Sequence, residues 1–142
     1  MADRALAQRE GAATITRVGA ALVVTLPREL DDETLRALRL DVLERVRRGR
    51  VRWIVMEASG LELVDAEEFT QLATIARGAA WLGARALLVG LAAGIVAYLV
   101  DASVDVAPFE PYASLDDALA SIAAASVGAA AGAWPGAAPG TA

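Results

Sequence analysis

Apolar and polar residues follow two different periods along this chain, which predicts strands and helices in alternation. Two short strands are predicted over Thr14 to Val18 and Ala21 to Leu26, with a tight turn at Gly19-Ala20 between them. A helix is predicted next, because five apolar residues fall on one helical stripe: Leu35, Leu38, Val42, Leu43 and Val46. The chain therefore opens with a hairpin and an amphipathic helix.

Charged residues mark both ends of that helix. Asp31 and Asp32 stand at its start, where acidic side chains favour the positive end of the helix dipole. Arg47 and Arg48 precede Gly49 at its end, where cations favour the negative end of the dipole. The helix is thus expected to run from the aspartates to the glycine.

The rest of the chain repeats the alternation of strand and helix. The stretches VRWIVMEAS and ARALLVGL are typical of buried parallel strands, and VDVAPFEPY is an extended piece that Pro108 and Pro111 confine to an edge or a loop. Helices are predicted in AEEFTQLATIARGAAWLG, which ends at a left-handed Gly83, in AAGIVAYLVDA, and in SLDDALASIAAA, which Ser114 caps. The second helix is expected to bury Phe69, Leu72, Ala73, Ala76, Ala79 and Ala80.

This order predicts an α/β fold with a small mixed, mainly parallel sheet of about five strands and about four helices. The length of 142 residues fits one domain, expected over 13–126. A flexible N-terminus is expected over 1–12. A disordered Ala/Gly/Pro-rich tail is expected over 127–142, because such a composition buries too little apolar surface to offset its ordering entropy.

Composition excludes several classes of function. The chain has no cysteine and no histidine, which removes disulfides, Cys-His and Ser-His-Asp catalysis and nearly all zinc sites. Its net charge of −5, with arginine as the only cation, gives no overall attraction to nucleic acid or acidic membranes. The uncharged run 86–100 is shorter than the ~20 residues that span a bilayer. We expect a cytoplasmic protein without a cofactor or metal.

Three stretches have a functional and a structural interpretation. The arginines of residues 45–52 could bind phosphate or an acidic partner, but compensation of a helix dipole is the favoured reading. The glycines in VGLAAG follow a strand without forming GxGxxG, so a nucleotide site has little support. Glu57, Glu62, Asp65, Glu67 and Glu68 could hold Mg²⁺ or Ca²⁺. The D-x-x-E spacing of Asp65 and Glu68 instead favours a capping box.

The segments TLPRELDDETLRAL, LELVDAEEF and LGARALLVGLAAGIVAYLVD resemble the STAS domains of anti-sigma-factor antagonists. The resemblance is strongest to stressosome scaffold proteins of the RsbS type and spans about Ile15 to Ile122. Members of the family carry ELDDxT at the first helix, an I/V-D-S/T triplet at the second, and GAxxxxxGI before the third. The resemblance implies the STAS fold and a protein-binding regulator rather than an enzyme.

In the family, a kinase with the histidine-kinase-like ATPase fold phosphorylates a serine or threonine at the start of the second helix. Asp65 matches the acid before that phosphoacceptor, and Ala66 occupies the position of the phosphoacceptor itself. Alanine has no hydroxyl, so this chain departs from the pattern. Glu67 supplies one negative charge a residue later and would imitate a phosphate only in part.

The resemblance implies partner-binding residues at both helix starts: Asp31, Asp32, Asp65, Ala66, Glu67 and Glu68. It implies RsbR-type STAS proteins and an RsbT-type switch kinase or an anti-sigma factor as partners, in a homo- or hetero-oligomer. The alternatives are an accessory STAS subunit of a transporter or lipid-trafficking complex and a STAS domain that binds a small ligand. A carboxylate-based hydrolase is the least favoured hypothesis.

Overall fold

The computed structural model describes residues 12–132, which form five strands and four helices in the predicted order. The elements are β1 (Thr14–Val18), β2 (Ala21–Thr25), α1 (Asp32–Gly49), β3 (Trp53–Glu57), α2 (Ala66–Trp81), β4 (Arg85–Val89), α3 (Ala93–Asp101), β5 (Phe109–Tyr112) and α4 (Leu115–Gly132). The α/β class predicted from the apolar periods is confirmed.

The strands form one sheet in chain order, from β1 to β5. β1 pairs antiparallel with β2 through the opening hairpin, and the other three pairings are parallel. In the centre, Val55 of β3 lies between Val23 of β2 and Leu87 of β4. β5 is an edge strand, as predicted. Pro111 within it has no amide hydrogen to donate to a ladder, and Pro108 lies just before the strand. The carboxyl ends of the four parallel strands therefore lie along one edge of the sheet.

Helices cover both faces of the sheet. The larger core lies under α1, α2 and α3, where Leu38, Leu72 and Leu99 each supply a buried side chain. The rings of Phe69 and Phe109 meet there edge to face, with centroids 5.7 Å apart. Packed on the opposite face, α4 buries Ala118 and Ile122 against the sheet. The central strands β2, β3 and β4 are largely buried on both faces as a result, which explains their continuous apolar runs.

α1 ends at Gly49, as predicted, and the following Arg50 adopts the left-handed conformation, with φ at 57°. The buried set of α2 differs from the prediction. On α2, Ile75 is buried and Ala80 is exposed, so Ala80 was wrongly placed in the core.

The last helix is longer than predicted. α4 continues to Gly132 and thus includes residues 127–132 of the segment expected to be a disordered tail. The helix extends because this segment is rich in alanine, which has the highest helix propensity and can add helical turns without a buried face. The expected tail residues 133–142 lie outside the described residues, as do residues 1–11 of the expected N-terminal segment.

None of the helices within residues 12–132 combines the length and the apolar character that crossing a membrane requires.

Candidate functional site

The start of α2 is fixed by a capping box, as the spacing of Asp65 and Glu68 predicted. The Asp65 carboxylate accepts a hydrogen bond of 2.7 Å from the Glu68 amide, and the Glu68 carboxylate accepts one of 3.0 Å from the Asp65 amide. Asp65 itself is extended, with φ at −96° and ψ at 174°. Two backbone donors that the helix leaves free are thereby satisfied. The acids at this junction have a structural role in holding the turn.

A contact that the sequence did not predict lies beside the box. The amide of Ala66, the first residue of α2, donates a hydrogen bond of 3.1 Å to the hydroxyl of Tyr98 on α3. The pair is 32 residues apart in the chain. The one signal in the sequence was a hydroxyl-bearing side chain in the stretch AAGIVAYLVDA, which is otherwise apolar up to Asp101, and it did not indicate a partner.

The start of α1 has a simpler cap. The Asp31 carboxylate accepts a hydrogen bond of 2.7 Å from the Thr34 amide. This backbone hydrogen bond is the main cause that holds the pKa of Asp31 below its ordinary value of 3.8. Asp31 is therefore a stable anion at neutral pH, next to the positive end of the α1 dipole.

Backbone hydrogen bonds bring the two helix starts together. The amides of Glu62 and Leu63 both donate to the carbonyl of Arg28, at 2.9 and 3.0 Å, and Glu29 forms a parallel β-bridge with Leu63. The side chains of Arg28 and Glu62 also form an ion pair of 2.9 Å. The loops before α1 and α2 are consequently tied to each other at the carboxyl edge of the sheet.

A shallow groove of about 300 Å³ lies between these two loops. Its lining residues are Glu29, Leu30, Asp31, Leu63, Val64, Asp65 and Glu68. Four of the seven are acidic, and Leu63 remains 63% exposed. A second depression, of about 600 Å³, adjoins it and shares Glu29 and Asp31. The surface therefore combines negative charge with an exposed apolar side chain.

The predicted site residues divide between this groove and its margin. Asp31, Asp65 and Glu68 line the groove. Asp32 and Glu67 are exposed one residue beyond the groove, in the first turns of their helices, and Ala66 is half-buried beneath Tyr98. Sequence reasoning missed Glu29, Leu63 and Val64, because their placement depends on the pairing of the two loops.

The acidic residues and glycines considered as metal or nucleotide sites have local structural roles. Within residues 12–132, no group of three or more acidic side chains is arranged to hold a metal ion. Glu57 accepts a hydrogen bond of 2.6 Å from the Ser59 hydroxyl. Gly90, from the glycine-containing stretch after β4, has φ at 74° and a Cβ there would lie 3.1 Å from that of Ser59. This glycine serves a turn in close contact with the β3 loop.

The arginine run lies at the opposite end of the sheet, where α1 ends and β3 begins. Arg47 and Arg48 both pair with Glu44, at 2.9 and 3.2 Å, and Arg45 lies 3.5 Å from Asp41. These are exposed ion pairs within one helix, and each stabilises little. They fit the dipole-compensating interpretation of the run.

Known proteins were compared with the chain by sequence and by structure. No family model matches the chain, and no curated protein matches it significantly.

Solved structures match it over most of its length. RsbS from Moorella thermoacetica, in a serine-to-glutamate variant, is 23% identical, with a TM-score of 0.69 over 80% of this chain and 97% of that chain. A chain from the stressosome, described as a signal integration and transduction hub, is 22% identical, with a TM-score of 0.69 over 80% and 98%. The anti-sigma-factor antagonist SpoIIAA in its unphosphorylated form is 16% identical, with a TM-score of 0.67 over 80% and 97%.

The fold is therefore that of the anti-sigma-factor antagonist or STAS domains, and the RsbS and stressosome chains are among its structural neighbours. The fold expected from the sequence motifs is confirmed.

Proposed function

We propose that this protein is a non-catalytic regulator or scaffold of the anti-anti-sigma type, similar to the RsbS component of stressosomes, and that it acts by binding other proteins. The observation that carries the proposal is the preformed surface at the starts of α1 and α2, on a STAS fold. Hydrogen bonds hold both loops in place before any partner arrives, which lowers the entropic cost of association.

The surface presents acids around an exposed apolar residue. Glu29, Asp31, Asp65 and Glu68 surround the groove from which Leu63 projects. Charged groups at the rim of an interface mainly steer encounter and select partners, whereas a buried apolar side chain contributes more of the affinity. This combination supports a protein ligand more than a small molecule, because the groove is shallow and open.

Ala66 gives the proposal its particular form. The nearest serine and threonine in the sequence, Ser59 and Thr70, donate hydrogen bonds to Glu57 and, at 2.8 Å, to the carbonyl of Ala66. We propose that the position of the phosphoacceptor is vacant in this chain and that any phosphate switch resides in another subunit. Glu67 carries one negative charge where a phosphoserine would carry about −1.5 to −2, and it is turned about 100° around the helix.

The proposed partners are RsbR-type STAS proteins and an RsbT-type switch kinase or an anti-sigma factor. The likeness to the stressosome chain supports an oligomeric assembly of STAS domains. The setting would be a bacterial stress response in the cytoplasm.

Phosphotransfer tests the vacant site. The purified protein, incubated with ATP and an RsbT-type switch kinase, is expected to gain no phosphate in residues 59–70. Ala66→Ser is expected to gain phosphate at the new hydroxyl. Glu67→Ser is the matched control, because it adds the same hydroxyl one residue later and should stay unlabelled.

Phosphate on the unaltered protein within residues 59–70, found by mass spectrometry, would contradict the vacant site. Neighbouring genes for a permease instead of a kinase and a sigma factor would favour the transporter alternative.

A further inference from the structure

Tyr98 is the only polar side chain between Arg85 and Asp101. Its hydroxyl accepts a hydrogen bond from one backbone amide of another helix. The first turn of α2 has its donors largely satisfied from within the chain. Tyr98 accepts from Ala66, the Asp65 side chain accepts from Glu68, and the Asp65 carbonyl accepts from Phe69. Of these acceptors, Tyr98 alone comes from a different element.

The helix that carries Tyr98 is weakly anchored. Ala92 at its N-cap makes no side-chain hydrogen bond, and α3 has no acid in its first turn and no base in its last turn. Leu99 is its one buried residue, although it is flanked by the half-buried Ile95 one turn earlier. Few buried contacts and missing caps place α3 among the elements that open at low free energy.

Tyr98 lies on the flank of α3 that faces α2. Successive residues turn by about 100°, so Tyr98 stands on one side of the buried Leu99 and Val96 and Val100 stand on the other. Val96, Tyr98 and Val100 are 42%, 44% and 65% exposed. The contact with α2 is thus made on one flank of α3, through the hydroxyl of a side chain that is itself partly open to solvent.

A second contact joins α2 to the loop that follows α3. Arg77 of α2 forms an ion pair of 2.7 Å with Asp105, in the loop after α3. Both side chains are about half exposed, and exposed pairs of this kind stabilise little. The Tyr98 hydrogen bond is the contact that links α3 to the proposed partner surface itself.

We propose that Tyr98 is a positioning residue that couples the start of α2 to α3 through the Ala66 amide. Opening of the Ala66 amide therefore loosens α3, and a firmly held α3 keeps this amide protected, because such coupling is reciprocal. The inference rests on the proposed function only for the identity of this surface as the place where partners bind.

Amide exchange on the full chain tests the coupling without any partner. Tyr98→Phe removes the hydroxyl and keeps the ring. It is expected to raise the exchange rate of the Ala66 amide, measured by magnetisation transfer from water, about fivefold to tenfold, the size expected for one neutral hydrogen bond. Amides of α3 should also exchange faster. Tyr112→Phe is the matched control, since the Tyr112 hydroxyl bonds Ser121 at 2.8 Å and joins β5 to α4 instead.

A double-mutant cycle separates coupling from simple packing of the ring. Ala66→Pro deletes the amide donor at the first helical position, where proline is well tolerated and the extended Asp65 suits a following proline. When Tyr98→Phe is added to the Ala66→Pro protein, the exchange rates of the α3 amides are expected to stay unchanged.

Two results would overturn the proposal. One is an unchanged Ala66 exchange rate in Tyr98→Phe. The other is an equal effect of Tyr98→Phe on α3 with and without the Ala66 amide, which would reduce Tyr98 to a packing residue. Neither depends on phosphotransfer, so failure here leaves the proposed function to its own test.

Discussion

Asp65 and Ala66 are adjacent but determine different properties of the junction before α2. Asp65 sets its conformation, because its carboxylate and that of Glu68 close the capping box. Ala66 sets its chemistry, because its methyl group offers no atom to modify while its amide is held by Tyr98. The junction therefore combines a fixed backbone geometry with a first helical residue that has no hydroxyl.

Asp31 leads to a prediction about pH. Its pKa is lowered by the hydrogen bond from the Thr34 amide, so its ionised form is the one that the folded state favours. A carboxyl with a depressed pKa contributes stability above its unfolded pKa and loses that contribution as the pH falls through the folded pKa. The affected window therefore begins near the ordinary value of 3.8 and extends below it.

Asp31→Asn is the variant that isolates this charge, because asparagine caps a helix about as well as aspartate. The free energy of unfolding, measured by urea titration at fixed pH values, should be higher for the unaltered protein than for Asp31→Asn at pH 6. The difference between the two proteins should shrink as the pH falls below 4. A difference that stays constant across this range would contradict the assignment.

The elements differ in how firmly they are held. α1 and α2 have side-chain caps and several buried residues each, whereas α3 has one buried residue and no side-chain cap. α4 alone packs on its face of the sheet, through Ala118, Ile122 and the partly buried Leu115 and Leu119. The fit of α4 thus depends on a small side chain at Ala118, which is fully buried.

Enlarging that side chain should show how closely α4 packs. Ala118→Leu is expected to lower the free energy of unfolding by about 1–3 kcal/mol, because added methyl groups in a packed core force side chains and backbone apart. Ala120→Leu, on the exposed side of the same helix, should change it by less than about 0.5 kcal/mol. Equal effects in thermal or urea unfolding would show that α4 does not pack as described.

Much of this architecture was predictable because it follows from local rules. The stripe from Leu35 to Val46, the Asp65 and Glu68 box and the prolines of β5 each express a short-range preference, and each is confirmed. α4 was predicted too short, because the low complexity of its last residues was taken as a sign of disorder although alanine has a high helix propensity.

The candidate site was only half predictable for a different reason. Asp31 and Asp65 are recognisable as caps from neighbouring residues. Their union in one groove depends on the Arg28 carbonyl, which accepts hydrogen bonds from Glu62 and Leu63 across 34 residues or more of chain. The Tyr98 contact is likewise tertiary and has no local signature. Long-range pairings of this kind are not encoded in a period or a motif.

At the scale of the whole molecule, the acids of the groove lie at the carboxyl edge of the sheet, beside Arg28. The arginines at the end of α1 lie at the amino edge, where they pair with Glu44 and Asp41. Helix dipoles account for part of this separation. The four acids of the groove give the proposed partner surface a negative charge. The same residues serve both proposed roles of the carboxyl edge, which are helix capping and recognition.

Binding to a kinase tests the central claim most directly, because the claim is that the α2 start recognises a protein. Calorimetric titration with an RsbT-type switch kinase, the proposed partner, should detect a complex with the unaltered protein. Glu67→Lys should weaken that complex at least about tenfold, since it reverses a charge at the recognition surface. Asp116→Lys is the matched control, as Asp116 holds the same second position in the first turn of α4, on the other face of the sheet.

We expect binding that Glu67→Lys weakens and Asp116→Lys leaves unchanged. The absence of any complex with the unaltered protein, or an equal loss in both variants, would contradict it.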